Sequence, residues 1–101
     1  MIKDLRIAAV VCRCPVGQVA RNLEETRTWT QRARKKGAEL VCFPELNLTG
    51  YCNREEILTH AISVGGSEVD ELTGIAVDQH MAMLVGFAER GAQGALYASH
   101  M

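Results

Sequence analysis

The sequence predicts an α/β fold, and three observations lead to that prediction. Residues 5–11 and 39–43 are apolar runs typical of buried strands, and a segment with helical periodicity lies between them. Only short joints connect these segments, so they form a βαβ unit, whose two strands are parallel and joined by a right-handed crossover. A second helical segment and two more apolar runs then continue the alternation up to residue 101.

The first helix is predicted to cover residues 19–36. Acidic residues lie in its early turns and basic residues crowd its end, which is the arrangement that the helix macrodipole favours. Gly37 supplies a left-handed stop directly after it. Residues that recur at three- and four-residue steps form its inner face, namely Val19, Leu23, Thr26, Thr30 and Ala33.

The second half of the chain is predicted to add a helix and a hairpin. Ser67 and Asp70 indicate a capping box that opens a helix over residues 67–79. The remaining apolar runs are interpreted as a third strand and, after a turn, a fourth strand that pairs with it as a hairpin. The third strand covers residues 82–88, the turn residues 90–94 and the fourth strand residues 95–101. Before these elements, residues 53–62 are interpreted as a short helix or an irregular lid segment.

The composition excludes several classes of partner. The chain has 101 residues, of which 48% are hydrophobic and 23% charged, and this is typical of one globular domain. Its net charge of −1 mixes both signs, so we expect no nucleic-acid or anionic-lipid partner. No segment is predicted to span a membrane, and the charged N-terminal residues do not form a signal peptide. We therefore expect a cytoplasmic protein.

Four cysteines are present, and we interpret them as reduced thiols. Three of them lie in or beside apolar runs, which suits the buried thiols of a cytosolic protein better than a disulfide framework. A zinc site is the alternative, but the paired C-x-x-C spacings that indicate such sites are missing. We therefore expect neither a metal nor a cofactor. The four are Cys12, Cys14, Cys42 and Cys52.

Both faces of the predicted strands are apolar. Ile7, Ala9 and Val11 point to one side of the first strand and Ala8 and Val10 to the other, because side chains alternate along a strand. The two helices are expected to lie on one face of the sheet and to cover little more than that face. The other face would remain an apolar patch larger than monomers usually tolerate. We therefore expect the 101 residues by themselves to self-associate or aggregate.

A carboxylate follows the second strand at the position where parallel sheets bind ligands. Glu45 stands two residues past the end of that strand, and Pro44 directs the chain out of the sheet. Ligands of open parallel sheets bind beyond the carboxyl ends of strands. A carboxylate between Phe43 and Leu46 is expected to be partly desolvated, which would bring its proton affinity toward that of a general base. A solvated loop glutamate is the alternative.

Here the chain resembles a known family. P-E-L-N-L-T-G-Y at residues 44–51, after a hydrophobic strand, is similar to the nitrilase or carbon–nitrogen hydrolase superfamily. The resemblance covers essentially the whole chain, as the N-terminal portion of such a domain. One departure is Cys12, where many members carry glutamine after the first strand. The other matching stretches are R-I-A-A-V-V, N-L-E, K-G-A-E-L-V-C-F, L-V-G-F-A-E-R and L-Y-A-S, at residues 6–11, 22–24, 36–43, 84–90 and 96–99.

The resemblance implies a four-layer α-β-β-α sandwich, of which residues 1–101 are an incomplete N-terminal portion, and a Glu–Lys–Cys triad. The glutamate takes the thiol proton, the cysteine attacks an amide or nitrile carbon, a lysine stabilises the oxyanion, and water releases the acyl-enzyme. Glu45 matches the catalytic glutamate. Tyr51 is carried over as a substrate-binding residue of the pocket. The complete protein is expected to be a homo-oligomer with a small amide or nitrile substrate.

The lysine and the cysteine of the triad come later in the family, and nothing in this chain replaces them. Cys12 is the one thiol expected near Glu45, as a packing residue. The form P-E-L-x-x-T-G-Y favours an amidase-like enzyme over a true nitrilase, and the 101 residues alone are predicted to be inactive. The alternative is a non-catalytic remnant that pairs with another subunit through its open sheet face. A flavodoxin-like or nucleotide-binding domain also fits the element order, but this sequence lacks the phosphate loop that such a domain would need.

Overall fold

The computed structural model of the protein describes residues 4–51, 55 and 59–101. The helices and strands alternate along the chain, as an α/β fold requires. A three-stranded sheet has the strand order β1-β2-β3, and β4 and β5 form a separate hairpin. In chain order the elements are β1 (Ile7–Ala9), α1 (Val19–Lys35), β2 (Leu40–Cys42), α2 (Ser67–Gln79), β3 (Ala82–Leu84), β4 (Gly86–Arg90), a 3₁₀ turn (Ala92–Gly94) and β5 (Leu96–His100).

The predicted βαβ unit is confirmed. β1 pairs with β2 in parallel and β2 pairs with β3 in parallel, so β2 is the central strand. Its middle residue, Val41, is fully buried. The strands are shorter than the apolar runs suggested, although the ladder continues beyond their ends through the bond from the Val10 amide to the Cys42 carbonyl (2.9 Å). Half of residues 53–62, predicted as a short helix or irregular lid segment, lie outside the described residues.

Helix α1 ends one residue earlier than predicted, and its C-terminus is closed by the expected glycine. Gly37 has φ +84°, a left-handed conformation that residues with a Cβ rarely adopt. The Gly37 amide donates to the Arg34 carbonyl (2.9 Å) and the Ala38 amide to the Ala33 carbonyl (3.0 Å). This pair of bonds is a Schellman motif, and it satisfies carbonyls that the helix end leaves open.

Helix α2 begins without the capping box that Ser67 and Asp70 suggested. Gly66 occupies the N-cap position in an extended conformation, and no side chain caps the helix there. Ser67 is already the first helical residue. Glu68 and Asp70 lie in the first turn, so their charges complement the positive end of the helix dipole instead.

The third predicted strand is divided between two sheets. Residues 82–84 extend the parallel sheet as β3, whereas residues 86–90 pair with β5 as the predicted antiparallel hairpin. The break falls at Val85, whose amide and carbonyl both bond to Met101 at 2.7 and 2.9 Å. A single continuous strand over 82–88 was therefore wrong, but a hairpin with the C-terminal strand was right.

Both helices lie on one face of the parallel sheet, and the opposite face is open. Side chains of α1 and α2 share one core cluster with Val41 and with the partly buried Ala8, Val10 and Met83. On the other face of the sheet Ile7 is 58% exposed, and Val11, just beyond β1, is 91% exposed. The prediction of an uncovered apolar face is thus confirmed for the residues that the structure describes. Within the same residues, no helix is long and apolar enough to cross a membrane.

Candidate active site

The candidate site begins where the central strand ends. After β2, Phe43 remains buried and its amide donates to the Leu84 carbonyl of β3 at 2.9 Å. Pro44 then takes the chain out of the sheet, and Glu45 follows as an exposed residue. Glu45 therefore lies at the carboxyl edge of the parallel sheet, as predicted. The expected partial desolvation of Glu45 is not found, because the described residues leave it open to solvent.

The residues after Glu45 form a buried turn, which we call the anchor segment (residues 46–50). All five of its residues are buried. The Asn47 amide donates to the Pro44 carbonyl (3.2 Å), and the Gly50 amide donates to the Leu46 carbonyl (2.7 Å). Leu46 adopts φ +52°, a left-handed conformation that is uncommon for a side chain of this size. The surrounding contacts therefore hold this turn in a conformation that it would not adopt by preference.

Two glycines allow other backbone segments to approach the anchor segment closely. Gly50 has φ +86°, and a Cβ placed on it would stand 2.7 Å from the Cα of Val16 and 2.8 Å from the carbonyl oxygen of Cys14. A Cβ on Gly86 would stand 2.6 Å from the amide nitrogen of Leu46 and 3.2 Å from the carbonyl carbon of Glu45. The start of β4 therefore lies directly against the backbone of the candidate catalytic residue.

Two buried polar side chains tie the anchor segment to the rest of the fold. The Asn47 side chain accepts a bond from the Gly86 amide (2.9 Å) and donates one to the Thr26 hydroxyl on α1 (3.2 Å). The Thr49 hydroxyl accepts a bond from the Ala88 amide (2.9 Å). Buried hydrogen bonds of this kind fix position, because a buried group without its partner is costly. The anchor segment is thus attached to both α1 and β4.

Asn22 is a buried polar residue whose role the sequence did not reveal. Its side-chain amide donates to the carbonyls of Pro15 and Leu48, both at 2.9 Å, so it joins α1 to the β1–α1 connection and to the anchor segment. Its Oδ1 is buried and has no partner among the described residues. A signal was present: Asn22 lies three residues after Val19 and four before Thr26, on the face predicted to be buried.

The structure brings the two predicted site residues together. Tyr51 directly follows the anchor segment, and its hydroxyl is hydrogen-bonded to the Glu45 carboxylate. This bond raises the pKa of Tyr51 above its ordinary value of 10.0, with smaller contributions from partial desolvation and from the carboxylate charge. Tyr51 is 64% exposed, so the pair faces solvent. The result is an accessible carboxylate with an oriented phenol beside it.

Cys42, Lys35 and Lys36 lie where the sequence predicted them, and the expected closeness of Cys12 to Glu45 stays a prediction. Cys12 follows β1, the strand beside β2, and its sulfur contacts that of Cys14. Cys42 lies inside β2, and Lys35 and Lys36 are exposed at the end of α1. Cys52 lies outside the described residues. Within the described part of the chain, no group of three or more His, Cys, Asp and Glu side chains has a geometry that could hold a metal ion.

Comparison with known proteins gives the class of this fold and site. The carbon–nitrogen hydrolase family model matches residues 6–101, so the chain belongs to that family. A crystal structure of an amidase from Nesterenkonia sp. superposes with a TM-score of 0.78 at 24% identity, covering 95% of this chain and 36% of that one. This likeness shows the fold: the chain corresponds to an N-terminal portion of the nitrilase-superfamily architecture.

Two curated relatives are nitrilases. The bromoxynil-specific nitrilase of Klebsiella pneumoniae subsp. ozaenae is 32% identical over 108 residues, which is 93% of this chain and 31% of that protein. The arylacetonitrilase of Macrophomina phaseolina is 26% identical over 110 residues, covering 98% of this chain and 32% of that protein. The chain therefore spans about a third of the length of the curated relatives it matches.

Proposed function

We propose that Glu45 is the general base of an enzyme that hydrolyses a non-peptide carbon–nitrogen bond, in an amide rather than a nitrile. One observation carries the proposal: an exposed carboxylate stands at the carboxyl edge of the central strand, on a turn held by buried hydrogen bonds. A surface glutamate with no role needs no such support. A general base does, because proton transfer depends on hydrogen-bond distance to the reacting group.

The proposed reaction follows the family's triad. Glu45 accepts the proton of a cysteine thiol, and the thiolate attacks the substrate carbon to form a covalent intermediate. A lysine stabilises the charge that develops on the substrate oxygen or nitrogen. For an amide, the carbon–nitrogen bond then breaks, ammonia leaves with the proton that Glu45 took from the thiol, and water releases the acyl group as a carboxylic acid. The family resemblance places the lysine and the cysteine in later parts of the domain, so residues 1–101 contribute the base and part of its surroundings.

Tyr51 is proposed to orient the base and to line the substrate pocket. Its hydroxyl donates to one side of the Glu45 carboxylate, which leaves the other lone pairs of that carboxylate for the thiol proton. The ring itself is largely exposed in this chain. It therefore offers an apolar surface beside the base, against which the acyl part of a small substrate can pack.

The preference for amides rests on the P-E-L-x-x-T-G-Y form of the loop, which resembles amidase and glutaminase-like members. The fold likeness to an amidase is consistent with it, whereas the two curated relatives named above are nitrilases. The two substrate classes separate in one assay of the complete enzyme. Ammonia release from small amides, faster than from the nitriles of the same acyl chains, is the expected result.

Replacing Glu45 with glutamine in the complete enzyme tests the base. Glu45→Gln keeps the size and most hydrogen bonds of the side chain but removes the proton acceptor. It should lower kcat by at least about 10²-fold, the loss typical of acid–base catalysis, while the fold stays intact. Glu39→Gln is the matched control, since Glu39 is exposed just before β2, at the opposite end of the strand. Near-normal turnover of Glu45→Gln would make Glu45 an ordinary loop glutamate.

We also propose a cytoplasmic location, in keeping with the free thiols of Cys12, Cys14 and Cys42, and a homo-oligomeric complete protein. The open sheet face supports the idea that further layers or subunits cover it. The 101-residue chain by itself should then sediment as an associated species and bind a hydrophobic dye.

Two surface variants sharpen this sedimentation test. Leu84→Glu changes the open face and should reduce self-association, whereas Val77→Glu, on the exposed side of α2, should not. If the chain is instead a monomer at high concentration and does not bind the dye, the open face needs no partner.

A further inference from the structure

The connection between β1 and α1 carries two thiols that face each other. The sulfur atoms of Cys12 and Cys14 are 3.7 Å apart, and the Cys14 sulfur also lies 3.5 Å from the Cys12 carbonyl oxygen. Both residues are partly buried. Arg13, the one residue between them, is exposed, while the two thiols meet.

This segment is able to adjust when a bond forms between the sulfurs. A disulfide has a sulfur–sulfur distance of about 2.05 Å, so the two atoms must approach by about 1.7 Å. β1 ends at Ala9 and α1 begins at Val19, so the two residues belong to neither a strand nor a helix. Rotation of side chains and a small backbone change are therefore enough, with no regular element disrupted.

The two thiols differ in chemical character. Burial, the hydrogen bond with Cys12 and the charge of Cys12, in decreasing order of effect, together raise the pKa of Cys14 to about 12. Cys14 therefore keeps its proton at neutral pH. Because the thiolate is the reactive form, Cys12 is the sulfur that reacts first and Cys14 the one that reacts second.

We propose that Cys12 and Cys14 are a dithiol that a peroxide converts into an intramolecular disulfide. The Cys12 thiolate attacks one peroxide oxygen, forming a sulfenic acid and releasing water once the second oxygen is protonated. The Cys14 sulfur then attacks the Cys12 sulfur and displaces hydroxide, which leaves as a second water with the Cys14 proton. In total the two thiols lose two protons and two electrons, and one hydrogen peroxide takes them up to become two waters.

The dithiol lies next to the anchor segment of the candidate active site. The Cys14 carbonyl oxygen is 2.8 Å from the position that a Cβ on Gly50 would occupy, so its backbone packs against the anchor segment. Cys42 provides a contrast within the same chain. It lies in β2, and its sulfur is 3.8 Å from the Phe43 carbonyl oxygen, a contact that offers no second thiol.

The test uses the 101-residue chain with Cys42→Ser and Cys52→Ser, which leaves only the proposed pair. After treatment with one equivalent of hydrogen peroxide and alkylation of remaining thiols, the intact mass should fall by two hydrogens and no alkyl group should be added. Trypsin offers a specific signature, because it cuts after Arg13, between the two cysteines. The peptides on either side of that cut should remain joined until a reductant separates them.

Single variants in the same background separate the two roles. Cys14→Ser should accumulate a Cys12 sulfenic acid that a dimedone probe captures, whereas Cys12→Ser should react more slowly with peroxide. Circular dichroism checks that each variant is folded. If the double variant does not fold, the same tryptic experiment is carried out on the wild-type chain, where the same joined peptides are expected. Two results would overturn the proposal. In one, Cys12 gains oxygen while Cys14 remains a free thiol that the alkylating reagent modifies; in the other, disulfide-linked dimers form in place of the internal bridge.

Discussion

Seven consecutive residues divide into two regions that differ in almost every physical respect. The anchor segment (residues 46–50) is buried throughout, whereas Glu45 before it and Tyr51 after it are exposed. Asn47 and Thr49 bond to α1 and β4, while the described hydrogen bond of the Tyr51 hydroxyl is to Glu45. The buried region stabilises the fold, and the exposed pair is the one that we propose to take part in the reaction.

This contrast shows how the chain fixes the backbone of a residue whose carboxylate is exposed. The Glu45 side chain gains little from burial, so its position depends on its backbone. That backbone is fixed by the β4 strand, which approaches within contact of the Glu45 carbonyl carbon because Gly86 has no side chain. Substitutions in the two regions should therefore separate stability from acid–base behaviour.

The largest expected effect is a loss of stability at Gly50. Gly50→Ala places a Cβ where φ is +86° and where the Val16 backbone is 2.7 Å away. A left-handed conformation costs about 1–2 kcal/mol for a residue with a Cβ, and overpacking costs about 1–3 kcal/mol. The free energy of unfolding, measured in urea, should therefore fall by about 2–5 kcal/mol.

Gly74→Ala is the matched control for that substitution. Gly74 lies inside α2, and a Cβ on it would have no atom within 4 Å. Alanine favours a helix interior over glycine by about 0.5–1 kcal/mol, so this variant should be more stable than the wild type. Equal responses at the two positions would show that the anchor segment tolerates change and does not fix Glu45.

A smaller loss is expected at Asn47. Asn47→Ala leaves the Gly86 amide without its buried acceptor and removes one of the two buried hydrogen bonds of the Thr26 hydroxyl, which costs about 1–3 kcal/mol in the free energy of unfolding. Gln31→Ala removes an exposed amide from α1 and should change stability by no more than about 0.5 kcal/mol. If both variants unfold at the same urea concentration, the buried network contributes nothing measurable.

The smallest effect concerns the pKa of Tyr51. The bond to Glu45 stabilises the neutral phenol, so Glu45→Gln should lower the Tyr51 pKa toward 10.0. The stability from this bond is present below pH 10 and is lost as the pH rises through the raised pKa of the folded state. It should be slight because Tyr51 is exposed.

Alkaline absorbance of tyrosinate measures this shift. A Tyr97→Phe background leaves Tyr51 as the titrating phenol, since the chain has two tyrosines. Glu39→Gln in that background should not change the titration. A Tyr51 pKa that is the same with and without the Glu45 carboxylate would mean that the two side chains do not interact in solution.

The local elements could be predicted from the sequence. The 3.6-residue repeat and Gly37 defined α1 and its end, because helix periodicity and a left-handed stop are properties of neighbouring residues. The hairpin of β4 and β5 followed in the same way from two apolar runs around a turn. The position of Glu45 after the central strand was also readable, since it depends on where one strand ends.

How these elements meet could not be predicted in the same way, because it depends on contacts between residues that are far apart in the chain. The strand predicted over 82–88 divides at Val85 because Gly86 turns to contact the Leu46 amide and its carbonyl accepts a bond from Leu48, partners almost forty residues earlier in the chain. Asn22 and Asn47 look like ordinary polar residues in sequence. They are buried because other segments supply partners: Asn22 finds two carbonyl acceptors, and Asn47 finds both a donor and an acceptor. Such bonds offset the cost of burying an amide.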